Sequence, residues 1–395
     1  MNVNTNNIPV QKSLYLATST NEEKRSEKNI QQLSPCSSSI QLIAANSLNQ
    51  LEKNKTFLST STQPLEGLAT TTSEVNLKEE FLFENAPFKH CHASTIVQTA
   101  SGELLVAFFG GTKKGDPVRS IWACRQKEGK WSEPVLVASA NNVSCGDPVL
   151  FKMPDGEILL FYKVGPSPRE WHGMMKRSKD NGQTWSEPEK LPDGILGPTK
   201  NKPLLLGEST LLCPSSHELM PQGTGSWYCE MNITNDRGKT WQKSEAIAYP
   251  DPEKKNPLAG IIQPTLFVDD KGVIHMLCRS RGVGTICHAT SLDKGVHWSK
   301  VEKTTLENPN CAIDCVKLKN GKIMLICNPV KEHRNKLAMF LSDDDGKTWK
   351  EGRILENHEQ QEYSFPAIIQ TADGSIHITY SYERDKIKHV TLPLQ

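Results

Sequence analysis

One octapeptide pattern limits what this chain can fold into. It reads SKDNGQTW at Ser178–Trp185 and returns as TNDRGKTW at Thr234–Trp241, SLDKGVHW at Ser291–Trp298 and SDDDGKTW at Ser342–Trp349. A shorter version, RQKEGKW, ends at Trp131. The tryptophans recur every 51–57 residues. A fixed period of this length marks an array of supersecondary units that bury their apolar faces only against one another. In each box the Asp and Gly are suited to a tight turn, with Asp180, Asp236, Asp293 and Asp344 accepting backbone N–H groups inside it. The tryptophan then folds back into the space between neighbouring units. SDDDGKTW is not a calcium loop, because it lacks the alternating ligands and the closing Glu.

A second signal has the same period. Six apolar pairs of runs flank a glycine: STIVQTASGELLVAFF, PVLFKMPDGEILLFYK, PLLLGESTLLC, PTLFVDDKGVIHMLC, CVKLKNGKIMLIC and PAIIQTADGSIHITY. Their glycines, Gly102, Gly156, Gly207, Gly272, Gly321 and Gly374, supply the positive φ of hairpin turns. Six units of four short strands predict an all-β, six-bladed β-propeller. Stacked β-sandwiches are the alternative, and they do not require a constant period.

The repeats begin near residue 80 of the 395. Residues 1–78 are rich in Ser, Thr, Asn and Gln and cannot bury enough apolar surface to offset the entropy of ordering. They are expected to form a mostly disordered tail, a spacer or a partner-binding segment, with one short helix in SIQLIAANSLNQLEKN. Residues 79–395 form the propeller.

Composition removes several classes. Lys and Arg number 46 against 45 Asp and Glu, a net charge of +1, so nothing calls for nucleic acid. No apolar run is long enough for a membrane span, and the mean hydropathy is −0.49. The 11 cysteines contain no C-x-x-C pair, and several lie in apolar runs. That pattern predicts buried free thiols and a reducing compartment rather than disulfides or a structural zinc site. No secretory signal opens the chain, which points to the cytoplasm unless another export route applies. No cofactor or metal is expected.

Topology places the chemistry. If the strands of a blade run A to D from axis to rim, the A–B hairpin turn and the box turn share one face. The starts of A and the ends of B therefore meet around the axis on the other face. The starts of A supply His90, His92, Asp147, Lys200, Lys202, Gln263, Asp314 and Tyr363. The ends of B supply Lys163, Ser215, His217, Glu218, Arg279, Arg281, Asn328, Tyr382 and Arg384. Two long B–C loops add Asp116 and Arg119, then Arg169, Trp171 and His172. A pocket so rich in Lys, Arg and aromatic rings suits an anionic sugar, because Arg forks onto a carboxylate and rings cover sugar C–H faces.

On these boxes and this layout, the chain from about residue 80 resembles the sialidase superfamily of BNR/Asp-box repeat proteins. The resemblance implies an exo-acting glycosidase of terminal anionic sugars with a carbohydrate or glycoconjugate as partner. YSFPAIIQTADGSIHITYSYE matches the last inner hairpin of sialidases, which makes Tyr363 the implied nucleophile and Glu383 its support. Arg279 in HMLCRSRG matches a carboxylate-binding arginine, and Asp116 is the implied acid/base. Three positions depart from the pattern. His90 and His92 stand where the first inner strand of sialidases has an arginine, Gln263 stands for the glutamate that activates the tyrosine, and the fifth inner strand has no arginine. Arg119, Arg169 or Arg281 would have to complete the clamp from loops.

The segments HASTI, FYKVGPSPREW and LPDGILGPTKNKP resemble a broader sialidase-like group. Some of its members act on rhamnosyl-glucuronate or ulvan-type linkages. That resemblance implies His92 as the proton-transfer group, with Lys163 and Arg169 neutralising a uronate. Three functions follow as expectations: a sialidase-type hydrolase, a uronate-directed hydrolase or lyase, and a non-catalytic glycan-binding propeller.

Overall fold

The computed structural model describes residues 77–111, 118–218, 227–250, 256 and 258–393. The expected tail lies outside them except at its last residues. Every regular element among the described residues is a strand. The strands form six antiparallel sheets of four or five, the blades of a six-bladed propeller. The inner strands are His90–Gln98, Cys145–Lys152, Leu204–Leu206, Gly260–Val268, Asp314–Lys317 and Tyr363–Gln370.

The blades stack because their first two strands are apolar on both faces. Side chains alternate along a strand. In blade 1, Leu104, Val106 and Phe108 pack toward blade 6 with Ala367 and Ile387. Leu105 and Ala107 pack toward blade 2 with Leu150, Ile158 and Leu160. The remaining four cores likewise join blades 2 and 3, 3 and 4, 4 and 5, and 5 and 6. Each buried Leu or Ile contributes about 1.5–3 kcal/mol, so no blade is stable without its neighbours.

The turns form as their sequences require. All six hairpin glycines have φ between 66° and 92°. In the box of blade 2, Asp180 accepts the Thr184 N–H at 2.9 Å and Ser178 Oγ accepts the Gly182 N–H at 2.7 Å. Blades 3, 4 and 5 repeat this with Asp236, Asp293 and Asp344. The box tryptophans are half-buried rather than fully buried, because each caps the outer edge of an inter-blade core. The box glycine seats the turn on the preceding blade: a Cβ on Gly182 would lie 2.6 Å from Leu105.

Closure uses a strand from outside the repeats. Lys78–Phe81 pairs antiparallel with Lys386–Leu392 as the outer strand of blade 6. Glu80 fixes it to blade 1. Its Oε1 accepts from Trp131 Nε1 at 3.1 Å and from Gln126 Nε2 at 3.0 Å, and lies 3.1 Å from His389 Nδ1. His389 foremost, with Lys78 and Trp131, holds the Glu80 carboxyl down at about 2. The ten cysteines among the described residues are free and buried.

Candidate active site

The inner strands do not run straight to the axis. Pairing with the second strand slips between His92 and Thr95, Gly146 and Val149, Ile262 and Thr265, and Ser364 and Ala367. Each slip is a bulge whose first residue is left-handed: Ala93 (φ 57°), Asp147 (39°), Gln263 (54°) and Phe365 (56°). Lys200 at φ 71° matches them in blade 3. This backbone is unfavourable for residues other than glycine, and it turns these side chains onto the axis. The resulting floor has two halves. Ala93, Ala312 and Phe365 from blades 1, 5 and 6 touch one another as an apolar half. Asp147, Lys200 and Gln263 from blades 2, 3 and 4 are the polar half.

His92 lies over the apolar half, its ring 4.1 Å from that of Phe365 and 5.7 Å from that of Phe109. Its Nδ1 is 2.8 Å from Ser381 Oγ. Burial holds its pKa well below the usual imidazole range, and the charges of Arg384, Arg334, Arg279 and Arg119 lower it further. His92 is therefore a neutral imidazole ringed by cations.

Arg279 is 8% exposed. Its Nε donates to Asn310 Oδ1 at 2.7 Å and its Nη1 to Gln263 Oε1 at 2.9 Å. Its guanidinium lies 5.8 Å from the Phe365 ring and 5.3 Å from that of Trp227. Among the described residues no carboxylate pairs with it. Burial and the Arg334 charge lower its pKa to about 10. A buried cation held only by amide oxygens is costly until an anion joins it.

Arg334, not among the residues expected from the sequence, comes from the B–C loop of blade 5. It pairs with Glu362 at 3.2 Å, donates to the Asn310 carbonyl at 3.1 Å and lies 5.9 Å from the Phe365 ring. Arg384 donates to the same Glu362 at 2.8 Å. Arg119 donates to Ser144 Oγ at 2.7 Å and lies 4.8 Å from the Phe109 ring. An arginine cluster is thus present although the inner strands of blades 1 and 5 carry none.

Besides Glu362, two carboxylates stand at this end of the blades, Asp147 and Glu218. Asp147 is buried, and Gln263 Nε2 approaches its Oδ2 at 3.4 Å. Burial raises its pKa against the pull of Lys163, Arg119, Arg279 and Lys200. Glu218, half-buried at the end of the second strand of blade 3, is also raised by burial, while Arg279, Arg281 and Arg169 oppose the rise. Arg169 is exposed, and the half-buried Arg281 lies 4.2 Å from the Trp227 ring.

Other expected site residues are tied into the scaffold, except Glu383, which lines a cavity of about 370 Å³ with Arg334, Glu362 and Arg384. Tyr363 is 1% exposed and packs in the core between blades 5 and 6 with Ile326, Leu337 and Tyr380. Its hydroxyl donates to Gln361, and Phe365 takes the axial place two residues on. Glu383 is an exposed turn residue whose carboxylate accepts the Glu362 N–H. Lys163 is fully buried beneath Asp147, donates to the Pro198 carbonyl at 2.7 Å, and is lowered by burial to about 7. Lys202 is tied at 2.8 Å to Asp314, which also accepts from Thr265 and the Ile368 N–H. Both lysines are therefore parts of the scaffold. His90 pairs with Asp385 at 2.8 Å. Asp116 lies outside the described residues.

A cleft of about 810 Å³ on the box face is lined by the ion pairs Arg177–Glu157 and Arg237–Asp155. Among the described residues no group of three His, Cys, Asp or Glu side chains could hold a metal.

Residues 102–378 match the model of the BNR repeat-like domain. Among curated protein sequences none matches the chain. Several solved structures share the fold. A protein of unknown function from Dyadobacter fermentans superposes with a TM-score of 0.67 at 18% identity, over 81% of this chain and 99% of the other. The NanB sialidase of Streptococcus pneumoniae, as its K499G mutant, gives 0.60 at 14% identity, over 77% and 68%. The α-L-arabinanase of Penicillium chrysogenum, complexed with arabinobiose, gives 0.59 at 15%, over 80% and 97%. At these identities the likeness is one of fold.

Proposed function

Because the chain belongs to the BNR repeat-like domain family, and its fold is that of a sialidase and an arabinanase, we propose that it is a glycoside hydrolase acting on a terminal anionic sugar, sialic acid or one of like charge. The observation that carries this reading is Arg279. Its charge is buried, its partners are the amide oxygens of Asn310 and Gln263, and Arg334 adds to the positive potential. A sugar carboxylate is the partner this arrangement lacks. Phe365 offers an apolar floor for the sugar ring beside it. The reading does not use Tyr363, whose hydroxyl faces Gln361 within the blade 5–6 contact.

One observation favours a second reading. A neutral His92 among four arginines is a base beside a carboxylate site, which also suits proton abstraction from a uronate. Turnover of a panel separates the two. It holds an aryl sialoside, glucuronide, rhamnoside and arabinofuranoside, with absorbance of unsaturated uronate followed on a rhamnosyl-glucuronate polysaccharide. Release of the aryl group from the charged glycosides alone supports the hydrolase. Unsaturated product supports the second reading, and release only from neutral glycosides contradicts both.

A further inference from the structure

Asp147, Gln263 and Arg279 form one chain across the axis, and its polarity is fixed. The guanidinium of Arg279 can only donate, so the Gln263 atom that meets it at 2.9 Å is the amide oxygen. The amide nitrogen must then face Asp147 Oδ2 at 3.4 Å. An N–H directed at Oδ2 makes that oxygen the acceptor, and the place left for a proton is Oδ1. The backbone adds to this. Asp147 holds φ at 39° in a bulge immediately before Pro148, a conformation that aims its side chain at the axis. The same chain accounts for a glutamine at position 263. A glutamate there would neutralise Arg279 and repel a second carboxylate at Asp147.

Resting on the hydrolase reading above, we infer that Asp147 is its proton donor, with Gln263 as the residue that positions it. The glycosidic C–O bond breaks, its electron pair stays on the departing oxygen, and the proton on Asp147 Oδ1 moves to that oxygen. A water oxygen bonds to the anomeric carbon. The proton which that water loses passes to solvent, and solvent returns a proton to Asp147. The sum is hydrolysis, with no other reactant. Asp147 thereby takes the acid role that the family resemblance implied for Asp116.

Leaving-group dependence tests this. Two glycosides of the same anionic sugar are compared, one with an alkyl leaving group that needs a proton and one with a dinitrophenyl group that does not. Asp147→Asn keeps an oxygen to accept from Gln263, and its thermal unfolding is checked against the wild type. The variant is expected to lose about 10³-fold in kcat on the alkyl glycoside and less than about 10-fold on the dinitrophenyl one. Gln263→Glu is expected to raise KM at least about 10-fold on both, because Arg279 is then paired within the protein. Equal losses of Asp147→Asn on both substrates, or the leaving-group pattern appearing in Asp116→Asn instead, would overturn the assignment while leaving the hydrolase intact. Absence of wild-type turnover on both substrates would overturn the hydrolase and this inference together.

Discussion

The box face and the axial face of this propeller are built from the same repeat and obey opposite rules. On the box face the repeat is kept. Asp180, Asp236 and Asp344 each bind the N–H and hydroxyl of a threonine four residues on, and Asp293 binds His297 in the same way. All four carboxyls are held at about 2. On the axial face the equivalent positions are Ala93, Asp147, Lys200, Gln263, Ala312 and Phe365, six places with five residue types. A turn that serves only packing can be copied from blade to blade. A pocket that binds one asymmetric ligand needs a different group at each blade.

The contrast yields predictions, the largest at the axis. Arg279→Met should cut kcat/KM on an anionic glycoside by at least about 10³-fold, because a buried charge-assisted pair with substrate is lost. The melting temperature should stay level or rise, since an unpaired buried cation disappears. A large fall in melting temperature would show that Arg279 is part of the scaffold. Next is the closure. Glu80→Ala should cost about 2 kcal/mol, as three donors around its carboxylate lose their acceptor, read by urea unfolding. A change on the box face should be smaller. Ser178→Ala removes the acceptor of the Gly182 N–H and should cost about 1 kcal/mol with turnover unchanged. Tyr363→Phe should have the least effect on turnover, within about 2-fold, because its hydroxyl is bound to Gln361 rather than to the pocket.

The pH dependence of stability follows from paired groups away from the pocket. His275 and His288 stack at 3.0 Å between nitrogens, and His377 and His389 do so at the matching place in blade 6. Burial lowers His288 and His377 to about 4. The unfolded chain then binds more protons than the folded one between pH 6.5 and 4, so stability is full above pH 6.5 and falls as pH drops through that window. Glu80, held at about 2, contributes a later loss as pH falls from 4.5 toward 2. Melting temperature followed from pH 7.5 to 3.5 should show the first fall. A flat profile would contradict the lowered values of His288 and His377.

Much of the fold was legible because its signals are local. A glycine between two apolar runs and an Asp–Gly box each carry their turn chemistry within eight residues. The closing strand Lys78–Phe81 was placed at the edge of a tail, because its partner lies about three hundred residues away and it resembles no repeat. At the inner strand ends, topology indicated which residues lie there but not the phase of their side chains. A one-residue bulge exchanges the side chain that meets the axis for its neighbour's, which is how Phe365 rather than Tyr363 reaches it. The sequence does hold a signal for this. Pro148, Pro264 and Pro366 each follow an axial residue, and a proline inside a central strand marks a bulge. Depth was not legible either. Lys163 and Lys202 lie on the axial side, but their ammonium groups end on a carbonyl and a carboxylate within the floor. Arg334 comes from a loop with no repeat signature.

The central claim is that Arg279 awaits a carboxylate. Calorimetric titration of the wild type with a sugar acid and with its methyl ester tests it most directly. The account predicts binding of the free acid, at least about 100-fold weaker binding of the ester, and loss of that preference in Arg279→Met. Equal affinity for acid and ester in the wild type would contradict it.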